Sequence, residues 1–119
     1  MKIAVTSKGT DLDSEVDPRF GRAAYIIIVD SETLEFEVVD NKENVNALKG
    51  AGIQAARMAS DKKADVLLTG FCGPNAFKAM KAAKIGVAND VAGTVRDAVQ
   101  AYLDGKLPLS DAANVEGQW

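Results

Sequence analysis

The chain has 119 residues, 47% of them apolar and 26% charged, and carries a net charge of −3. That balance suits a single domain spanning residues 1–119 around one core. It gives no basic footprint for nucleic acid and leaves no run of about 18–20 apolar residues to cross a bilayer. Histidine is absent and Cys72 is the only cysteine. An internal disulfide is therefore excluded, and the commonest general base and neutral metal ligand are missing. With no charged-then-apolar leader before the first apolar run, the expectation is a cytoplasmic protein.

Lys2–Thr6 reads as a short apolar strand, followed by a long polar connection, Ser7–Arg22. Ala24–Asp30 is rich in β-branched residues and reads as a buried strand. Leu34–Asp40 alternates apolar and polar residues, as expected of a hairpin partner with one wetter face. After a polar loop, Asn41–Lys49, a helix is expected from Ala51 to Lys62, with Ile53, Ala56 and Met58–Ala59 turned to the core. Asp65–Thr69 is a near-continuous apolar run, the mark of a buried parallel strand. Gly70–Gly73 turns into a helix opened by Pro74, whose missing N–H is not needed there. Ile85–Ala88 is the last strand. Thr94 and Asp97 have capping-box spacing, Val95, Ala98, Val99, Tyr102 and Leu103 share one helical face, and Gly105 stops the helix. The tail from Pro108 reads as irregular.

The order β-β-β-α-β-α-β-α predicts a five-stranded mixed α/β sheet with strand order 3-2-1-4-5. The second strand runs against the others, and helices cover both faces. Four connections then leave the carboxyl edge of the sheet: Ser7–Arg22, Asn41–Gly50, Gly70–Gly73 and Asn89–Thr94. In open α/β sheets ligands bind at that edge, near the point where the winding reverses.

The unusual residues sit in those loops. Asp17-Pro18-Arg19-Phe20-Gly21-Arg22 places two guanidiniums around a Phe-Gly turn. It could hold an anion, or be a packed loop with Arg19 paired to Asp17 or Glu15. Leu48-Lys49-Gly50-Ala51-Gly52-Ile53 opens a helix whose free N–H groups favour an anion, or is simply a glycine-relaxed helix start. Thr69-Gly70-Phe71-Cys72-Gly73-Pro74-Asn75 brings Cys72 near a helix N-terminus, where a thiolate is favoured. Cys72 is then either a soft metal ligand or a small buried hydrophobe. Asp11, Asp13, Glu15 and Asp17 alternate as in a calcium loop, but the glycine and distal glutamate are misplaced, so a solvated loop is expected.

Met1–Thr6, Asp17-Pro18-Arg19-Phe20-Gly21-Arg22-Ala23, Gly70 with Gly73-Pro74-Asn75-Ala76-Phe77, and Asn114-Val115-Glu116-Gly117 with Trp119 resemble the dinitrogenase iron–molybdenum cofactor biosynthesis family. The resemblance implies a three-layer ribonuclease-H-like fold and a carrier or scaffold without turnover of its own. Its cargo would be a molybdenum-containing metal–sulfur cluster, of Mo–Cu or Fe–Mo type, and its partners the proteins of cofactor delivery. Many relatives carry histidine before the first helix and in a C-terminal Gly-His-Trp. This chain has Asn44–Gly50 and Gln118 at those places, so only a histidine-free mode of holding an anion, as in the orange-protein branch, is open to it.

On this reading Arg19, Arg22 and Lys49 balance the cluster's charge. Gly21, Gly50, Gly52, Gly73 and Asn75 offer donors or close approach, Phe20 and Phe71 shield its sulfurs, and Cys72 is the one candidate metal ligand. The chain is expected to act as a monomer. Two rivals are a regulatory or protein-interaction module without cofactor, and a metal-dependent phosphoryl hydrolase. The latter needs strand-borne carboxylates, which Lys2–Thr6 does not offer.

Overall fold

Lys2–Ser7 forms β1, in which Ile3 and Val5 point to one face of the sheet and Ala4 and Thr6 to the other, as the two-residue period of a strand requires. The computed structural model describes residues 1–41 and 51–110. In chain order the remaining elements are β2 (Tyr25–Asp30), β3 (Phe36–Asp40), α1 (Ala51–Asp61), β4 (Val66–Leu68), α2 (Pro74–Ala82), β5 (Gly86–Ala88) and α3 (Val95–Leu103). The sheet order is β3-β2-β1-β4-β5. β2 runs antiparallel to both β1 and β3, and β1, β4 and β5 are parallel. The expected mixed sheet and its strand order are both present.

Each sheet face has its own core. Ala4, Ile26, Ile28, Leu67 and Val87 pack against Ala55, Ala56 and Ala59 of α1 and Ala76 and Met80 of α2. On the other face Ile3, Val5, Ile27, Val29, Val66 and Leu68 meet Val95, Ala98 and Val99 of α3, together with Leu12 and Val16 from the long β1–β2 connection. That connection is therefore part of a layer.

One helix register differs from expectation. In α1 the inward positions are Gly52, Ala55, Ala56 and Ala59, whereas Ile53 is 42% exposed. The i, i+3, i+4, i+7 stripe is made of the smallest side chains, which let α1 approach the sheet and α2 closely.

The three helices among the described residues end alike. The residue after the C-cap has positive φ, and backbone N–H groups there reach back to the last turn. The residues are Lys63 (φ 60), Lys84 (φ 61) and Gly105 (φ 77). For α1, Lys63 N–H donates to Ser60 O and Ala64 N–H to Ala59 O, the Schellman pattern. Left-handed backbone costs a side-chain-bearing residue about 1 kcal/mol relative to glycine. Lys63→Gly and Lys84→Gly should each stabilise the protein by about that much in urea denaturation. At the other end of α3, the Thr94 hydroxyl accepts the Asp97 N–H at 3.1 Å, as the capping spacing predicts.

Beyond α3 the chain returns to the sheet. Ser110 N–H donates to Val87 O at 2.7 Å, and the Leu109 side chain lies over Gly86. Lys49, Gly50, the histidine-replacing stretch 44–50 and the C-terminal motif Asn114–Gly117 with Trp119 lie outside the described residues.

Candidate functional site

The two central parallel strands deliver a threonine each to the carboxyl edge. Thr6 ends the apolar run of β1, and Thr69 directly follows β4. Both are fully buried, and their hydroxyls are 2.9 Å apart. Thr6 Oγ1 donates to the Asp17 carbonyl at 2.6 Å. Its only hydrogen is thus used, so Thr69 is the donor in the hydroxyl pair. Asp17 N–H returns a bond to Thr6 O at 2.9 Å. The Asp17–Arg22 segment is thereby fixed to the ends of two strands.

The same segment is laced to the β4–α2 connection. Phe71 N–H donates to Pro18 O at 2.6 Å and Phe20 N–H to Phe71 O at 3.0 Å. Gly70 lies so close to Pro18 that a Cβ there would be 2.7 Å from Pro18 Cα. Asp90 N–H and Val91 N–H then donate to Gly70 O and Thr69 O, tying in the β5–α3 connection. Three of the four edge connections form one hydrogen-bonded rim.

This rim changes the role expected of Phe20. Phe20 is fully buried in the core beneath α1 and α2, and Gly21 is buried with it. The Phe20 ring is therefore core packing and is not exposed at the rim. Phe71, at 37% exposure, remains a surface aromatic.

Arg19 is exposed and Arg22 half-buried. Of the two acids offered as Arg19's partner, Asp17 is the one beside it: Nε is 3.7 Å from Asp17 Oδ1, which also accepts the Arg19 backbone N–H at 3.0 Å. Glu15 pairs with Lys8 instead. The acidic set divides accordingly, with Asp11, Asp13 and Glu15 exposed and Asp17 buried at 4% exposure. Two residues beyond Phe71, Gly73 is the N-cap of α2 and has no side-chain hydrogen bond capping the helix. Pro74 brings no N–H, and Asn75 is exposed in the first turn. Gly52, by contrast, is buried in α1.

The family model for the dinitrogenase iron–molybdenum cofactor matches residues 1–105 of the chain. The chain belongs to this family. Among solved structures it is similar to the apo form of the orange protein from Desulfovibrio gigas, with 49% identity over 96% of each chain and a TM-score of 0.94. An NMR structure from Thermotoga, described as a proposed NifB protein of the DUF35 family, is 36% identical over 91% of each chain, with a TM-score of 0.79. A proposed dinitrogenase from Methanocaldococcus jannaschii shares the fold at 16% identity and a TM-score of 0.69, covering 94% of this chain and 96% of that one. A search of curated proteins gives no match.

As a member of the iron–molybdenum cofactor family, the chain could hold a metal–sulfur group by coordination or by charge. Coordination finds little support. Among the described residues no three His, Cys, Asp or Glu side chains gather as a metal cluster. Of the two readings open for Cys72, its burial fits that of a small buried hydrophobe. Cys72 is fully buried in an apolar cluster, and desolvation pushes its thiol up to about 12. The proton stays on, and the Sγ–H points toward Gly73 O at 3.8 Å.

The consequence for pH is testable. A thiol whose folded pKa is raised from 9.0 to about 12 keeps its full stabilising contribution below pH 9 and loses it as pH rises toward 12. Stability should therefore fall over that window more steeply in the wild type than in Cys72→Ala, measured by urea denaturation. At pH 8 the native thiol should resist an aromatic disulfide reagent that labels it promptly in urea.

At the surface the rim carries Arg19, Arg22, a helix start without a side-chain cap and the exposed aromatic Phe71. Thr6, Thr69 and Asn41, which build the rim from below, are unremarkable in sequence. The Asn41 amide, fully buried at the end of β3, donates to Gly21 O at 3.1 Å and Ala23 O at 2.8 Å and so shapes the turn that carries Arg22.

Proposed function

We propose that this protein is a non-catalytic carrier that holds an anionic, molybdenum-containing metal–sulfur cluster on the carboxyl-edge rim without covalent ligands. The observation that carries this reading is the lacing of the Arg19 turn onto the segment leading into α2. It brings the backbone of the Arg19 turn against Phe71, two residues before Gly73, the N-cap of a helix that has no side-chain cap. Guanidiniums and a helix start without a side-chain cap both favour negative charge, and neither requires a deprotonated ligand. Phe71 supplies an apolar surface for sulfur, and Lys49 adds a third cation by sequence. The family's name and the 49% identity to the orange protein support the choice of cargo.

A hydrolytic role is the weaker reading, because β1 (Lys2–Ser7) carries no carboxylate to hold catalytic metal ions. No phosphatase or nuclease turnover is expected with magnesium or manganese.

The test is an anaerobic titration with tetrathiomolybdate, followed by its visible absorption, with molybdate as the oxygen-only control. Arg19→Ala with Arg22→Ala should weaken binding at least tenfold, since charge-assisted hydrogen bonds contribute about 1.5–3 kcal/mol each. Arg22 is half-buried and Arg19 pairs with the buried Asp17, so the denaturation midpoint of the double variant is measured alongside to establish that it is folded when titrated. Wild-type protein that ignores the thiometallate would overturn the carrier reading in favour of a regulatory module. Unchanged affinity in the folded double variant would remove the arginines from the site.

A further inference from the structure

The rim contains a residue that a simple anion site should not have. Asp17 places a carboxylate next to Arg19, with its side chain only 6% exposed. A nearly buried negative charge opposes an incoming anion, and desolvating it is costly. Yet its environment is built in detail. The Asp17 backbone is bonded to Thr6 through both its N–H and its carbonyl, and Thr6 is backed by the Thr69 hydroxyl. From that fixed base, Asp17 Oδ1 accepts the Arg19 backbone N–H at 3.0 Å and stands 3.7 Å from Arg19 Nε. An unbroken path thus runs from the ends of β1 and β4 to the guanidinium.

We propose that Asp17 is a positioning residue for anion capture: it holds Arg19 by the backbone and the Nε side, leaving the outer Nη groups for the ligand. The inference rests on the carrier reading and goes one step further. A free surface arginine loses rotamer freedom when it binds. In this protein part of that freedom is already lost before the ligand arrives, because Asp17 restrains the head group. The carboxylate repels the ligand, but at longer range than the Nη contacts it organises. The net effect favours an anion large enough to engage the outer edge of the guanidinium.

The two effects of Asp17 have opposite signs, which makes the role measurable. Asp17→Asn keeps the volume and an Oδ1 acceptor for the Arg19 N–H but removes the charge that orients Nε. Tetrathiomolybdate affinity is measured for the wild type, Asp17→Asn, Arg19→Ala and the double variant. Charge alone would make Asp17→Asn bind more tightly in either background. Positioning makes it bind about threefold or more weakly when Arg19 is present, and equally or more tightly when Arg19 is alanine. That reversal of sign supports the role, and a merely structural residue would not produce it.

A second measurement does not depend on binding or on the folding of any variant. In the free wild type, the Arg19 Nε–H should show a higher NMR order parameter than that of Arg57, an exposed arginine on α1, because the ion pair narrows the positions of its head group. Equal order parameters would overturn the restraint. Wild-type protein that fails to bind overturns the carrier reading itself. Wild-type protein that binds, with an Asp17→Asn effect of the same sign in both backgrounds, overturns the positioning role alone.

Discussion

Gly70→Ala should destabilise the protein by about 3 kcal/mol, the upper part of the range for forced overpacking. The reason is space, not backbone freedom, since Gly70 is not among the residues with positive φ. A Cβ at this position would be 2.7 Å from Pro18 Cα and 2.8 Å from both Pro18 Cβ and Pro18 O. None of these atoms is the end of a flexible side chain. Pro18 must therefore move as backbone, and its carbonyl is the acceptor for Phe71 N–H. Displacing it also strains the bond from Phe20 N–H to Phe71 O, which seats the fully buried Phe20 ring. Gly105→Ala is the natural control. Nothing lies within 4 Å of its Cβ position, but its φ is +77°, so it should cost only the left-handed penalty of about 1 kcal/mol. Equal midpoints in urea for the two variants would mean that Pro18 yields freely and the rim is soft. In the expected case Gly70→Ala also weakens thiometallate binding, because the Arg19 turn is displaced with Pro18.

Gly70 and Phe20 mark the boundary of what is legible in the sequence. Strand order follows from apolar runs, one hairpin-like meander and the handedness of βαβ crossovers, all of which are local or general constraints. Gly70 is legible as part of a strand-turn-helix signature, though not as the point where Pro18 presses. Phe20 belongs to the expected loop but lies on the opposite side of it, in the core. An aromatic in a polar connection has no periodic neighbours to say whether it faces solvent or core. Ile53 misleads for a related reason: the larger apolar residues of α1 suggest one face, whereas close helix packing selects the face of Gly52, Ala55, Ala56 and Ala59. The electrostatics of Cys72 turn on burial, which outweighs a nearby helix start. Thr6, Thr69 and Asn41 cannot be singled out in the sequence, because their partners are main-chain atoms and each other, brought together only by the fold.

Asn41 leads to the sharpest electrostatic test of the rim. Its Nδ2 is the donor to two carbonyls, Gly21 O and Ala23 O, and the side chain is almost fully buried. Asn41→Leu removes both bonds and leaves buried acceptors unpaired, a loss of about 1–3 kcal/mol for each such group. Asn41→Asp keeps the shape but sets a carboxylate against two carbonyl oxygens, and this should be worse at pH 7. Burial and two facing acceptors must raise the folded pKa of the new carboxyl above its unfolded value of about 3.9. A carboxyl raised in this way contributes its stability below the unfolded pKa and loses it as pH climbs through the folded pKa. The stability gap between Asn41→Asp and wild type should therefore be smallest near pH 4 and widen toward neutrality. It should not vanish at pH 4, because a protonated carboxyl has one hydrogen for two acceptors. The Asn41→Leu gap, with nothing to titrate, should stay flat across the same range. A gap for Asn41→Asp that grows on acidification would mean that the carboxylate has found a cation, and that the Gly21–Ala23 turn is not held in the way described. Because that turn carries Arg22, both variants should also lose affinity for the thiometallate while still folded.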